Sequence, residues 1–163
     1  PTKNFFRWTM INIGLVKIKG VDVVLQGLWK FGNDWVFDSR LSYTYQKAQD
    51  FTDKSDKDTY GGQISYIPWH SGSAILNAGY KSWELNYSFI YTGERYDVSA
   101  NTPENYRLPW YTSDFSLAKK FSWRKYDFKL TLEVNNIFNQ QYEVVRSYPM
   151  PGTNFKFILN LTI

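Results

Sequence analysis

The residues able to do chemistry are few, and their spacing argues against each reaction they suggest. The chain has one histidine, His70, and no cysteine. Disulfides and cysteine-ligated metals are thereby excluded. A lone imidazole also rules out a histidine-rich zinc site and leaves one candidate for a Ser-His-Asp triad. Triads are recognised by geometry, and His70 reads as a polar residue at a loop–strand junction. The run DFTDKSDKD places Asp50, Asp53, Asp56 and Asp58 close together. Oxygen clusters of this kind can bind calcium, but Lys57 occupies a ligand position and no glutamate closes the spacing. The run reads as a solvated loop tip. SLAK, from Ser116 to Lys119, has the form of a penicillin-binding motif. In a strand, however, positions three apart point to opposite faces. Asn86 with Ser88, and Asn160 with Thr162, form glycosylation sequons in the middle of strand-like segments. No glycine-rich phosphate loop is present. The expectation is no catalytic residue, no metal site and no cofactor.

Charge narrows the partners. The net charge is +4, and the basic residues never run longer than two. A nucleic-acid surface needs clustering, so no nucleic-acid partner is expected. Aromatic residues make up 20% of the chain, while hydrophobic residues reach only 43%. No stretch approaches the roughly 20 apolar residues of a spanning helix. PTKNFFRWTM has no basic start followed by an apolar core, so no signal peptide is read. The chain then reads as cytosolic, as mature, or as a piece of something larger.

The elements come from period-two alternation. Trp35, Phe37, Leu41, Tyr43 and Tyr45 oppose Asp38, Arg40, Ser42, Thr44 and Gln46. Trp83, Leu85, Tyr87, Phe89 and Tyr91 oppose Ser82, Glu84, Asn86, Ser88 and Thr92. Tyr111, Phe115 and Leu117 oppose Thr112, Asp114 and Ser116. Tyr126, Phe128, Leu130, Leu132 and Val134 oppose Asp127, Lys129, Thr131, Glu133 and Asn135. Phe155, Phe157, Leu159, Leu161 and Ile163 oppose Asn154, Lys156, Asn160 and Thr162. Ser71–Tyr80 alternates more weakly. Leu15–Phe31 is apolar but changes register near Gly20, which predicts a bulge or bend there.

This gives about seven strands of about ten residues, the length of a tilted bilayer crossing. The connections alternate: 31–34, 81–82 and 122–125 are tight, whereas 47–70, 93–110 and 136–152 are long. Short turns on one side and long loops on the other are the pattern of an outer-membrane barrel. Trp29, Phe31, Trp35, Tyr80, Trp83, Phe121, Trp123 and Tyr126 gather at the short-turn end, as an interfacial girdle would. The expected fold is all-β: antiparallel transmembrane β-barrel strands, with short periplasmic turns and long extracellular loops. A soluble antiparallel sandwich would explain the alternation alone.

Five motifs in order then resemble one family. NNIFNQQYEVV followed by YPMPGTNFKFILNLTI looks like the carboxyl end of TonB-dependent outer-membrane transporters. There an N-L/I-F-N-x-x-Y element precedes a P-G-R-x-F/Y element that opens the last strand. Here these are Asn136 to Asn139 with Tyr142, and Pro151 to Phe155. NIGLVKIKGVDV (12–23), YIPWHSGSAILNAGY (66–80) and GERYDVSANTPENYRLPWYTSDFSLAKKF (93–121) resemble further elements of the family. Asp22 stands in its acidic position, and only Pro68 and His70 remain of its P-x-x-P-x-H element. The wording is most similar to Bacteroides-type members. Thr153 stands where arginine is common, and Ile163 where an aromatic residue is usual.

The resemblance implies that residues 1–163 are the C-terminal part of a TonB-dependent receptor β-barrel with no plug domain. It implies a place in the Gram-negative outer membrane and uptake of a scarce nutrient such as a cobalamin, an iron chelate or a glycan. Implied partners are outer-membrane lipid, the plug and remaining barrel strands of a parent chain, TonB through that parent, and the small-molecule nutrient. Asp38, Arg40, Glu84, Asp114, Lys129, Glu133 and Lys156 are expected to face the lumen, holding the plug or lining a hydrated wall. Tyr60, Trp69, Tyr96, Tyr106, Arg107, Tyr142, Arg146 and Tyr148 are the expected ligand contacts in the loops. The alternatives are a small self-contained barrel with a structural or adhesive role, and a soluble β-domain. Seven strands alone are expected to close into a small barrel or to associate through their edges, since unpaired edges are costly in lipid.

Overall fold

The computed structural model describes residues 14–162. PTKNFFRWTM, the first two residues of the motif at 12–23, and Ile163 lie outside them. The aromatic and β-branched alternation folds as strands, because such side chains fit a pleated surface. The seven long strands are β1 (Val16–Phe31), β2 (Trp35–Asp50), β3 (His70–Tyr80), β4 (Trp83–Thr92), β7 (Trp110–Trp123), β8 (Tyr126–Asn135) and β11 (Asn154–Thr162). Between them lie four short strands: β5 (Arg95–Tyr96), β6 (Tyr106–Arg107), β9 (Glu143–Val145) and β10 (Tyr148–Pro149). The long strands make one antiparallel sheet in the order β1-β2-β3-β4-β7-β8-β11. The short ones form two ribbons, β5 with β6 and β9 with β10, which alternation could not reveal because each is too short to show a period. Among the described residues no helix is long and apolar enough to cross a membrane.

The three tight connections each place a residue in the left-handed region: Gly32 at φ 60°, Lys81 at φ 52° and Arg124 at φ 57°. Hairpin loops of two or three residues, the lengths found here, use that region because it matches strand twist or forms the loop's closing residue. Two strands outrun their expected limits. β2 continues through Asp50, with Lys47 opposite Lys19 and Gln49 opposite Lys17, so the loop expected from 47 begins later. β7 runs to Trp123, leaving only Arg124 and Lys125 as the turn. At 16 residues, β1 and β2 span roughly 53 Å at about 3.3 Å per residue, more than a tilted bilayer crossing requires.

The bulge expected at Gly20 is absent. Pairing of β1 with β2 is unbroken from Val16↔Asp50 to Phe31↔Trp35. Gly20 serves another need: a Cβ there would meet the Tyr45 carbonyl oxygen. The glycine marks close approach of the neighbouring backbone, and the change of apolar register is a change of side-chain type alone.

Directly opposed residues share a face, so the registers sort the side chains. One row crosses all seven strands as Trp29, Phe37, Ala78, Leu85, Leu117, Leu132 and Phe157. On the other face, Asp38, Asn77, Asn86, Ser116, Glu133 and Lys156 stand opposite one another in turn. A soluble sandwich would bury the first row under a second layer. Here the only buried hydrophobic residues among those described are Ala48 and Ala118, while Leu132 is 50% exposed and Phe157 67%. With no aqueous core to build, the apolar face is one that suits lipid.

Aromatic residues bracket that face. At the short-turn end Trp35 packs on Tyr80 with centroids 4.3 Å apart, and Phe121 stacks on Phe128 at 5.1 Å. Lysines and arginine cap this band: Lys119 lies 4.4 Å over Trp83, and Arg124 5.1 Å over Trp123. A second band, not anticipated from the sequence, lies at the loop end. Tyr43 donates to or accepts from His70 Nδ1 at 2.7 Å, and Phe89 packs on Tyr111 at 6.0 Å. Trp35 and Tyr45 are ten residues apart on β2. That is roughly 33 Å of strand, or about 25 Å of membrane normal at a tilt of about 40°.

The sheet is open. β11 pairs with β8 alone and β1 with β2 alone, so the expected closure into a small barrel does not occur. Strand parity explains this. Successive antiparallel pairing of seven strands sends β1 and β11 in the same direction, so closure would require a parallel pair. Their lengths, 16 and nine residues, are also mismatched.

Candidate functional site

Two regions carry the polar groups singled out in the sequence. The first is the sheet face opposite the apolar row. Asn77 donates to Asp38 at 3.1 Å, and Asn86 donates to Asn77 Oδ1 at 2.6 Å. Further along, Glu84 receives Lys120 at 2.5 Å and Lys129 at 2.6 Å. Lys156 reaches Glu133 at 3.4 Å. Lys129 on β8 crosses β7 to meet Glu84 on β4, as happens on a concave surface. A concavity of about 530 Å³ is lined by Asp38, Asn77, Glu84, Asn86 and Lys129 among others. Of the seven expected lumen residues, Asp38, Glu84, Lys129, Glu133 and Lys156 join hydrogen-bonded or ionic pairs here. Arg40 stands opposite Gln26 and Ile75 on the same face. Asp114 instead holds a loop base, where its carboxylate accepts the Asn136 backbone N–H at 2.7 Å as the chain leaves β8.

The second region is built by the long loops. Asp97, whose side chain is 1% exposed, binds Arg107 through Nε at 2.8 Å and Nη2 at 2.5 Å, and Arg146 at 3.4 Å. Arg95, buried beside it, donates to the Glu143 and Val144 carbonyls at 2.8 and 3.2 Å. Burial lowers its pKa, and the neighbouring Arg107 adds to this while Tyr66 opposes it, yet a guanidinium stays charged. The β5–β6 ribbon is thereby tied to the β9–β10 ribbon. The loop after β2 joins them. Tyr66 N–H donates to the Tyr96 carbonyl at 2.7 Å, and Asn101 brackets Gln63, accepting from its N–H at 2.5 Å and donating to its carbonyl at 3.0 Å. Arg95, Asp97, Gln63 and Asn101 were not singled out in the sequence. Arg95 and Asp97 lie in the GERYD start of the 93–121 stretch, whose charges resemble any solvated loop, and nothing local marks Gln63 or Asn101.

These ties leave an aromatic concavity of about 500 Å³, lined by Tyr106, Arg107, Leu108, Trp110, Tyr142 and Glu143 among others. Trp110 and Tyr142 stack with centroids 4.4 Å apart. Burial raises the Tyr142 phenol pKa, helped by the charge of Asp114. Of the eight expected ligand contacts, Tyr106, Arg107 and Tyr142 line this space. Tyr96 packs on Tyr106 at 5.7 Å, and Arg146 supports it through Asp97. Tyr148 is exposed on β10. Tyr60 packs on Phe51, and Trp69 lies under Lys47, so these two are elsewhere.

The aspartate-rich run uses its oxygens on its own backbone. Asp53 accepts from Ser55 N–H at 2.8 Å, and Asp56 from Asp58 N–H at 3.0 Å. Ser116 and Lys119 lie on opposite faces, paired with Asn86 and Trp83.

Residues 1–137 match the model of a protein family described as TonB dependent receptor-like, beta-barrel.

Proposed function

The chain belongs to the TonB-dependent receptor-like β-barrel family, a family of outer-membrane transporters, and from that premise we propose that it forms the carboxyl-terminal wall and loops of a nutrient transporter. The order of the NIFNQQY and PGTNF motifs supports the carboxyl-terminal position. The plug, the remaining strands and the contact with TonB belong to the rest of such a protein. The observation that carries the reading is the division of labour between faces and ends. An apolar face bracketed by two aromatic bands suits the wall, a polar concave face suits a plugged lumen, and loops locked around Asp97 present aromatic groups outward. The nutrient is a cobalamin, an iron chelate or a glycan, each offering a flat or ring-shaped surface to Trp110 and Tyr142.

Titration calorimetry against one member of each class tests this. One class should bind saturably, and Trp110→Ala or Tyr142→Ala should weaken it about tenfold or more, as loss of an aromatic anchor does. Failure of all three classes to bind, or variants that bind as tightly as the parent, would contradict it.

A further inference from the structure

One charge at the loop site has no partner. Arg107 and Glu143 are the ionised residues that line the aromatic concavity. Arg107 gives Nε and Nη2 to the buried Asp97 carboxylate, so its charge is already met and Nη1 is left as a donor. Arg95 and Arg146 add positive charge behind this wall. Arg95 is buried, Arg146 turns to Asp97, and neither lines the space. Glu143 is exposed, and among the described residues its carboxylate forms no ion pair.

Glu143 is also held in place. Its backbone carbonyl accepts Arg95 Nη2 at 2.8 Å, and its Oε2 accepts the Ser147 N–H at 2.9 Å, which leaves Oε1 as an acceptor. Gln141, which lines the same space, donates its amide nitrogen to Asn139 Oδ1 at 3.3 Å and keeps its carbonyl oxygen. Two positioned acceptors, one of them charged, and the Arg107 donor thus surround the stacked rings of Trp110 and Tyr142. In a pocket of apolar faces, the few polar groups fix orientation and specificity.

We infer that Glu143 is the specificity-determining residue of the loop site: it accepts the hydroxyl groups of a neutral saccharide and turns away nutrients that carry negative charge. Hydroxyl groups donating to a carboxylate make charge-assisted hydrogen bonds, about twice as strong as neutral ones. An anionic chelate would bring a like charge against a carboxylate that no cation offsets, and such juxtaposition rejects a partner. The inference rests on the loop-site reading above and narrows its three nutrient classes to one.

Calorimetry on the protein purified from outer membranes tests it. The probes are neutral trisaccharides of glucose, galactose and mannose, and each of them oxidised at C6 to the carboxylate. At least one neutral trisaccharide should bind about tenfold or more tighter than its oxidised form, a difference of about 1.4 kcal/mol. Glu143→Gln keeps an oxygen for the Ser147 N–H and removes the charge, so it should bring the two forms within about threefold of each other. Glu104→Gln, outside the lining, should leave the preference intact. Equal binding of the two forms by the unaltered protein would overturn the inference without any variant having to fold. A preference that survives Glu143→Gln would overturn it too. Binding of a cobalamin or an iron chelate, with no trisaccharide bound, would overturn it while leaving the loops a nutrient site. Failure of all three classes to bind would remove that site and this inference together.

Discussion

The Thr153 hydroxyl donates to the Asn136 carbonyl oxygen at 2.7 Å across the base of the last long loop. Asn136 is 4% exposed and sits at φ 51°. Its side chain donates to the Gln140 and Pro151 carbonyls at 2.9 and 3.2 Å and accepts the Gln140 N–H at 2.9 Å. Asn139 Oδ1 accepts the Thr153 N–H at 3.2 Å. The NIFN and PGT segments are therefore two sides of one clamp. Asparagine suits its corner because it tolerates the left-handed region and bonds locally.

Asn136→Ala should lower stability by about 2–4 kcal/mol, from lost hydrogen bonds and left-handed strain. Asn136→Gly should recover about 1 kcal/mol of that, the part due to backbone strain. Urea unfolding of the membrane-inserted protein measures both. Equal losses would remove the strain from the explanation.

Asp97→Asn should free the loops while leaving the sheet intact. Breaking a buried ion pair costs about 3–5 kcal/mol, but Arg107 and Arg146 are partly exposed, so about 1–3 kcal/mol is expected here. Hydrogen exchange should accelerate in 93–107 and 143–149 and stay unchanged in β3 and β4. Unchanged exchange in the loops would show that Asp97 is not what joins them.

Tyr142 sets an alkaline limit on the loop site. Its folded phenol titrates above the ordinary value near 10. The stability that its neutral form contributes is fully present below that ordinary value and lost as pH rises through the folded one. Phenolate absorbance should show Tyr106 and Tyr142 titrating late, with loosening of 136–153 at high pH, and Tyr142→Phe should remove one late tyrosine and the loosening. An undiminished late absorbance in the variant would assign the shift elsewhere.

Most of the sheet was legible because alternation is a direct image of two unlike faces: Trp83 to Tyr91 and Tyr126 to Val134 needed no other information. β1 misled because Val24 and Leu28 stand on the polar face opposite Ser42 and Asp38, so its residues lack the contrast that marks a register. The loop assembly was mostly hidden. Arg95 meets the carbonyls of Glu143 and Val144, 48 and 49 positions away, and no local pattern announces such a contact. Tyr106, Arg107 and Tyr142 were found as residue types, but Trp110, the last residue of the 93–110 connection, was not singled out, because nothing local shows that it stacks on Tyr142.

The central claim is that the face bearing Leu132 meets lipid and the face bearing Thr131 does not. Spin labels placed singly at Leu132 and Thr131, with the protein in bilayers, test it through collisions with oxygen and with a polar nickel chelate. High oxygen and low nickel accessibility are expected at Leu132, and the reverse at Thr131. Leu132→Arg should also cost roughly 2–4 kcal/mol near the midplane, while Thr131→Arg costs far less. A label at Thr131 as lipid-exposed as one at Leu132 would contradict it.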